Sequence, residues 1–206
     1  MIKMMLAFGV IGHLLCALTD ILLSFSKDKK RFNFKFMNDN EKMSEVMANM
    51  PLKNPMLSML VGVVAIFIMI WGYFGVCMYI YPLSKVYATV MFIATLVCMI
   101  PITAFHVFCG TAEWYYIRMG RTEEARLAAV DFFKNILPTG IISYVGLLIF
   151  CVALLAAVVT GVAELPKWAL IFNHIFFLIP LQIIFKVPGA GNLAGALTFV
   201  GLLFVM

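Results

Sequence analysis

Residues 105–113 read Phe-His-Val-Phe-Cys-Gly-Thr-Ala-Glu and lie inside a long apolar segment. This stretch contains a His, a Cys three positions later and an acid four positions after the Cys. The same spacing occurs in the first apolar segment, where residues 13–20 read His-Leu-Leu-Cys-Ala-Leu-Thr-Asp. Positions i, i+3 and i+7 lie on one face of a helix. The pattern therefore predicts one polar stripe on each of two helices that are otherwise suited to lipid.

The composition is that of a membrane protein. Hydrophobic residues make up 64% of the chain and charged residues 12%, whereas a soluble domain is about 45–50% apolar and about 25% charged. The net charge of +5 does not indicate a nucleic-acid partner, because the basic residues lie at the edges of apolar segments. We expect one transmembrane domain over residues 1–206, passing several times through the cell membrane and contacting membrane lipids.

Six apolar segments approach the length of about 20 residues that a membrane-spanning helix needs. They predict an all-α bundle of six transmembrane helices at about 2–25, 56–81, 86–117, 139–162, 168–185 and 191–206. The linkers at about 26–55 and 118–137 predict amphipathic helices at the cytoplasmic surface, with packing against the spans as the alternative. Similar Val-Gly tetrads after prolines in the even spans suggest three parallel repeats of a helix pair.

Most of the 15 basic residues follow the first, third and fifth spans. The positive-inside rule places those linkers in the cytoplasm and both termini outside. His13, His106 and His174 then lie at nearly one depth, because each precedes the basic residue that closes its span by about 12–14 residues, or roughly 18–21 Å. Asp20 and Glu113 lie nearer the cytoplasm.

The candidate functional residues are the ionisable groups inside the spans. A charged side chain at the bilayer centre costs at least about 2.5–3.5 kcal/mol, so it usually has a functional reason to be there. We predict His106 and His13 as acid and base, with Glu113 and Asp20 as their partners. Further candidates for ligand contact are polar and aromatic residues of the second and fifth spans: His174, Asn173, Gln182, Trp71 and Tyr73.

Three kinds of chemistry suit these residues. Acid–base groups can transfer a proton on a lipid-like or sterol-like hydrophobic molecule. Three His, with candidates His13, His106 and His174, can bind zinc or iron. Layered His and acids can also relay protons or ions in a small transporter. The alternative without turnover is a structural or partner-binding subunit, in which the polar groups only hold helices together.

Some of these residues also have a purely structural explanation. Cys16 and Cys109 suit small packing residues better than metal ligands. Glu113 can reach the membrane interface and pair with a basic residue there. The spacing of Gly191 and Gly195 is typical of a close helix contact, either within the chain or in a homo-oligomer.

Residues 12–20 and residues 105–116, which end in Glu-Trp-Tyr-Tyr, resemble a group of small, uncharacterised bacterial proteins with several spans. That likeness covers most of the chain and implies no activity. A fainter similarity is to the emopamil-binding (EXPERA) membrane enzymes, which use intramembrane His and carboxylates to shift double bonds in sterol-like substrates. His106, Glu113 and Asp20 match those enzymes in residue type but not in local spacing, so no residue role follows from the resemblance.

Overall fold

The computed structural model describes the backbone of residues 1–206 and every side chain except that of Phe34. The described backbone is helical, with short turns between the helices. In chain order, the α-helices are α1 (Ile2–Ser24), α2 (Asn40–Met47), α3 (Lys53–Ile80), α4 (Lys85–Arg118), α5 (Glu123–Val159), α6 (His174–Ile179) and α7 (Ala190–Val205).

Four of these helices, α1, α3, α4 and α5, are long and apolar enough to cross a membrane. This agrees with the predicted helical membrane bundle. The hairpin between α3 and α4 is tight, since only residues 81–84 connect the two helices. Ser84 caps α4 by accepting a hydrogen bond from the backbone N–H of Tyr87. Thr122 caps α5 in the same way, by accepting from the backbone N–H of Ala125.

The predicted linker at 118–137 and the predicted fourth span are not separate in the structure. A single helix, α5, runs through both of them and contains Pro138. A proline inside a helix removes one backbone hydrogen bond, but helices in membranes tolerate this where neighbouring groups compensate. The first turns of α5 also have a packing partner, since Ala125 and Ala129 bury Met43 and Met47 of α2. The apolar face of the first linker therefore packs against the helices.

The predicted fifth span at 168–185 is broken into three pieces. A 3-10 turn (Lys167–Phe172) leads into α6, and a π-helical turn (Pro180–Ile184) follows it. Asn173 caps α6 by accepting from the N–H of Ile175, and Pro180 ends its regular hydrogen bonding. The last helix, α7, has 16 residues and rises about 24 Å, less than the roughly 30 Å hydrocarbon core.

The helices enclose a space between them. α3 packs against α1 and α4, α4 packs against α5, α1 packs against α7, and the turn before α6 contacts α5 and α7. Two glycines allow the closest crossings: a Cβ at Gly12 would collide with the backbone of α3, and one at Gly146 with the backbone of α4. The faces of α1, α4, α5 and α7 that remain turn toward one cavity.

Candidate functional site

The two predicted polar stripes face each other across this cavity. Asp20 of α1 and His106 of α4 approach to 3.8 Å between Oδ1 and Nδ1. The stripes therefore form one site, although their residues lie far apart in the sequence.

His13 is buried, and both of its ring nitrogens have a partner. Nδ1 lies 3.1 Å from the Asn192 Oδ1 atom of α7, and Nε2 lies 3.2 Å from the Tyr73 hydroxyl of α3. An amide oxygen only accepts, so Nδ1 carries the proton and the Tyr73 hydroxyl donates to Nε2. The ring also packs 5.6 Å from the ring of Phe199 and directly on Gly195, where a Cβ would overlap it. His13 is thus fixed in one orientation.

Asn192 connects His13 to Asp20. Its Nδ2 donates to Asp20 Oδ2 at 2.8 Å, while its Oδ1 accepts from His13. The hydrogen bonds therefore run in one direction, from Tyr73 through His13 and Asn192 to the acid. The other oxygen of Asp20 faces His106.

His106 is held from the opposite side. Its Nε2 lies 3.1 Å from the Ser58 carbonyl oxygen, which accepts, so Nε2 carries a proton. The hydroxyls of Thr19 and Ser58 lie 3.4 Å from the same nitrogen. Gly62 makes room for the ring, since a Cβ there would overlap it. The other ring nitrogen, Nδ1, faces Asp20.

Two buried groups in the site remain without a hydrogen-bond partner among the described residues. The two groups are the imidazole of His174, at both of its ring nitrogens, and the carboxyl of Glu113, at its Oε1 atom. The His174 ring lies 6.3 Å from that of His13, centroid to centroid. Buried polar atoms in proteins are nearly always paired, with the protein or with a bound molecule. Both side chains line the cavity, which makes the cavity a candidate ligand site.

The cavity that these residues line has a volume of about 760 Å³. Its wall is mostly apolar, with Phe105, Phe133 and Leu147 among the lining residues. The two stripes supply polar groups to this wall. Arg31 and Lys186 also line the cavity, and Arg31 Nη1 donates to the Lys186 carbonyl at 2.6 Å. Ligand sites in proteins commonly occupy about 300–1,000 Å³ and combine an apolar wall with a few polar groups.

The structure separates the predicted ligand contacts into two groups. Tyr73, His174 and Gln182 line the cavity. Trp71 does not: it is 41% exposed on the outside of α3 and packs edge-on against Phe67 and Phe74. Asn173 is buried, but it donates to the Cys151 carbonyl at 2.8 Å and caps α6, so its amide is used in holding the fold.

The three His do not form one metal-binding group in the described part of the chain. Among the described residues, Cys16, Asp20 and His106 form a group that could hold one metal ion. Their ligand atoms lie within 4.8 Å of one another. Of the three predicted His ligands, only His106 belongs to it. Cys16 was predicted to be a packing residue, and in the structure its thiol lies beside the carboxylate of Asp20 and the imidazole of His106.

Asn192 and Ser58 were not predicted as site residues from the sequence. Asn192 had a usable signal, because it is the one amide in an otherwise apolar last segment and polar side chains in such segments usually face the bundle interior. Ser58 had no usable sequence signal, because it contributes a backbone carbonyl to the site and every residue has such a group.

Comparison with known proteins places the whole chain in one group. The model of a family of unknown function, DUF6796, matches residues 1–206. The chain belongs to this family. No curated protein and no solved structure matches it.

Proposed function

We propose that this member of DUF6796 binds a lipid-like or sterol-like molecule in the cavity, with the polar end of that molecule at the two stripes. One observation carries the proposal: a largely apolar space of about 760 Å³ is lined by His174 and Glu113, whose buried polar atoms have no hydrogen-bond partner among the described residues. A hydrophobic molecule with a hydroxyl, carbonyl or carboxyl group satisfies both features. A subunit with a purely structural role would pair these polar atoms and leave no such space.

The chemistry proposed for the site is proton transfer on the bound molecule. His174 and Glu113 are the groups free to contact it, and His13 lies beside His174 with its tautomer set by Asn192 and Tyr73. General acid–base catalysis requires a group within hydrogen-bond reach of the proton that it moves. Both side chains line the cavity, and we propose that their buried polar atoms turn toward a ligand bound there.

A transporter using the same residues has less support. A carrier needs a polar path to both faces of the membrane. From Tyr73 toward the hairpin at 81–84, the core consists of apolar side chains such as Val76, Ile80 and Met91. Among the described residues, Arg31 and Lys186 are the basic groups that line the cavity, and they lie in the other direction.

We also infer that the chain crosses the membrane six times, with the basic linkers in the cytoplasm and both termini outside. The broken segment 167–185 begins near Ala163, whose carbonyl accepts from Tyr79 at the α3–α4 hairpin end. It finishes at Lys186, which is bonded to Arg31 of the basic linker. The segment therefore runs from one end of the bundle to the other despite its breaks. Labelling of single cysteines in intact cells tests this topology.

The ligand proposal is tested by extracting small molecules from the purified protein and identifying them by mass spectrometry. Leu147→Trp places a bulky ring in the cavity, whereas Leu148→Trp, its neighbour on the exposed face of α5, serves as the matched control. We expect one class of lipid to co-purify with the unchanged chain and with Leu148→Trp, and to fall at least tenfold in Leu147→Trp. Equal recovery from both variants would contradict the proposal.

A further inference from the structure

We infer that Cys16, Asp20 and His106 bind a divalent transition-metal ion of the zinc class at the edge of the cavity. The inference does not depend on the proposed lipid function, since it rests on the geometry of these three ligands and on a different measurement. Cys16 and Asp20 come from α1, where they lie four positions apart on one face, and His106 comes from α4.

The distances suit one ion. A tetrahedral site with ligand bonds of about 2.0–2.3 Å holds its ligand atoms roughly 3.3–3.8 Å apart. His106 Nδ1 and Asp20 Oδ1 are 3.8 Å apart, which is too long for a hydrogen bond and matches the separation of two ligands. The Cys16 thiol completes the group within 4.8 Å, and binding one ion requires it to move closer to the other two ligands.

The surroundings orient the ligands as metal sites do. A metal-bound imidazole usually donates its other N–H to a carbonyl or carboxylate, and a metal-bound carboxylate is itself hydrogen-bonded. His106 donates through Nε2 to the Ser58 carbonyl, which leaves Nδ1 for the ion. Asp20 accepts from Asn192 through Oδ2, which leaves Oδ1 for the ion.

The charges also balance. A thiolate and a carboxylate carry two negative charges, and taking such charges out of water is costly unless they are compensated. A divalent ion neutralises both of them. A set of thiolate, imidazole and carboxylate suits Zn²⁺ better than the hard ions Mg²⁺ or Ca²⁺, which prefer oxygen ligands. Three protein ligands leave a fourth position for water or for a polar group in the cavity, as in catalytic zinc sites.

The test uses the full chain purified in detergent, loaded with Zn²⁺, washed and analysed for zinc per chain. A parallel sample is loaded with Co²⁺, which gives a near-ultraviolet charge-transfer band only when a thiolate is bound. We expect about one zinc per chain, and a loss of at least tenfold in zinc affinity in Cys16→Ser and in Asp20→Asn. Asn192→Leu, which removes the bond that orients Asp20, is expected to weaken zinc binding about 10- to 100-fold.

Cys109→Ser is the matched control, because Cys109 lines the same cavity but lies outside the ligand group. It is expected to keep both the zinc and the cobalt band, and size-exclusion elution checks that every variant is folded. Three results would each overturn the inference: no zinc above background in the unchanged chain, a cobalt band that survives Cys16→Ser, or equal zinc loss in Cys109→Ser. Co-purification of lipid is a separate readout, so either proposal can fail without the other.

Discussion

The α1 stripe (His13, Cys16 and Asp20) and the α4 stripe (His106, Cys109 and Glu113) have the same spacing but different surroundings. In the α1 stripe, His13 and Asp20 are both bonded to Asn192 of α7. In the α4 stripe, His106 reaches across to α1 and α3, while the Oε1 atom of Glu113 has no partner among the described residues.

The difference follows from which helices face each stripe. α1 lies between α3 and α7, so both ends of its stripe meet polar groups on a neighbouring helix. α4 lies between α3 and α5. Glu113, the last residue of its stripe, lines the cavity. The same spacing of residues thus gives a bonded network on one helix and leaves a carboxyl oxygen without a described partner on the other.

Removing Asn192, which bridges His13 and Asp20, has the largest expected effect on stability. Asn192→Leu leaves the His13 Nδ1–H and the Asp20 Oδ2 without their partner. We expect a loss of about 2–3 kcal/mol in the free energy of unfolding, since interhelical hydrogen bonds in membranes contribute about 1 kcal/mol each and orphaned groups add to the cost. Unfolding in mixed detergent measures it. Gly191→Ala is the control, because a Cβ there meets nothing within 4 Å, and equal loss in both variants would contradict the bridge.

The glycines under the two imidazoles test whether both rings are fixed. Gly195→Ala overlaps His13, and Gly62→Ala overlaps His106. Overpacking of this kind costs about 1–3 kcal/mol. We expect Gly195→Ala to cost more, because His13 has hydrogen bonds at both ring nitrogens and cannot turn away without losing them. Thermal unfolding of the two variants gives the order, and a more stable Gly195→Ala than Gly62→Ala would show that His13 is the more mobile ring.

The acids at the matching positions of the two stripes are expected to differ in their contribution. Asp20→Leu breaks the hydrogen bond from Asn192 and is expected to cost about 1 kcal/mol. Glu113→Leu removes the unpaired Oε1 and is expected to leave stability unchanged or slightly raised. Both unfolding measurements are made with a metal chelator present, so that ion binding does not contribute. Equal destabilisation would mean that Glu113 is held as firmly as Asp20.

The smallest expected effect on stability concerns Asp39, which lies outside the site. Asp39 caps α2 and pairs with Lys42 at 2.8 Å, and these bonds from Lys42 lower the pKa of the Asp39 carboxyl below its ordinary value. A lowered folded-state pKa stabilises the protein above the unfolded pKa of about 4, and this contribution is lost as the pH falls through the folded value. Asp39→Asn should therefore be slightly less stable at pH 6 and indistinguishable at pH 2. A difference that persists at pH 2 would contradict this cause.

The sequence was sufficient for the features that are local. Runs of apolar residues identify the four long helices, and Thr122 followed by two acids marks the start of α5. The i, i+3, i+7 spacing correctly grouped His13 with Asp20 on one face. Helix periodicity depends only on neighbouring residues, so it can be read without a structure.

Contacts between helices were harder to predict. Asn192 meets His13 and Asp20 only because α7 packs antiparallel to α1, and no local pattern encodes that adjacency. The expected layer of three His failed as a single metal site for the same reason, since equal depth does not fix the rotation of each helix. The break at Asn173 was also missed, although Asn173 and His174 interrupt the apolar run of that segment.

Photolabelling in native membranes tests most directly whether the cavity holds a lipid. A long-chain alcohol bearing a diazirine is added to membranes that contain the unchanged chain, irradiated, and its attachment sites are mapped by mass spectrometry. We predict labels on cavity-lining residues such as Phe105, Phe133 and Leu147, reduced at least tenfold by Leu147→Trp but not by Leu148→Trp. Labels confined to outward-facing residues such as Ile141 and Leu148 would contradict a lipid-binding cavity.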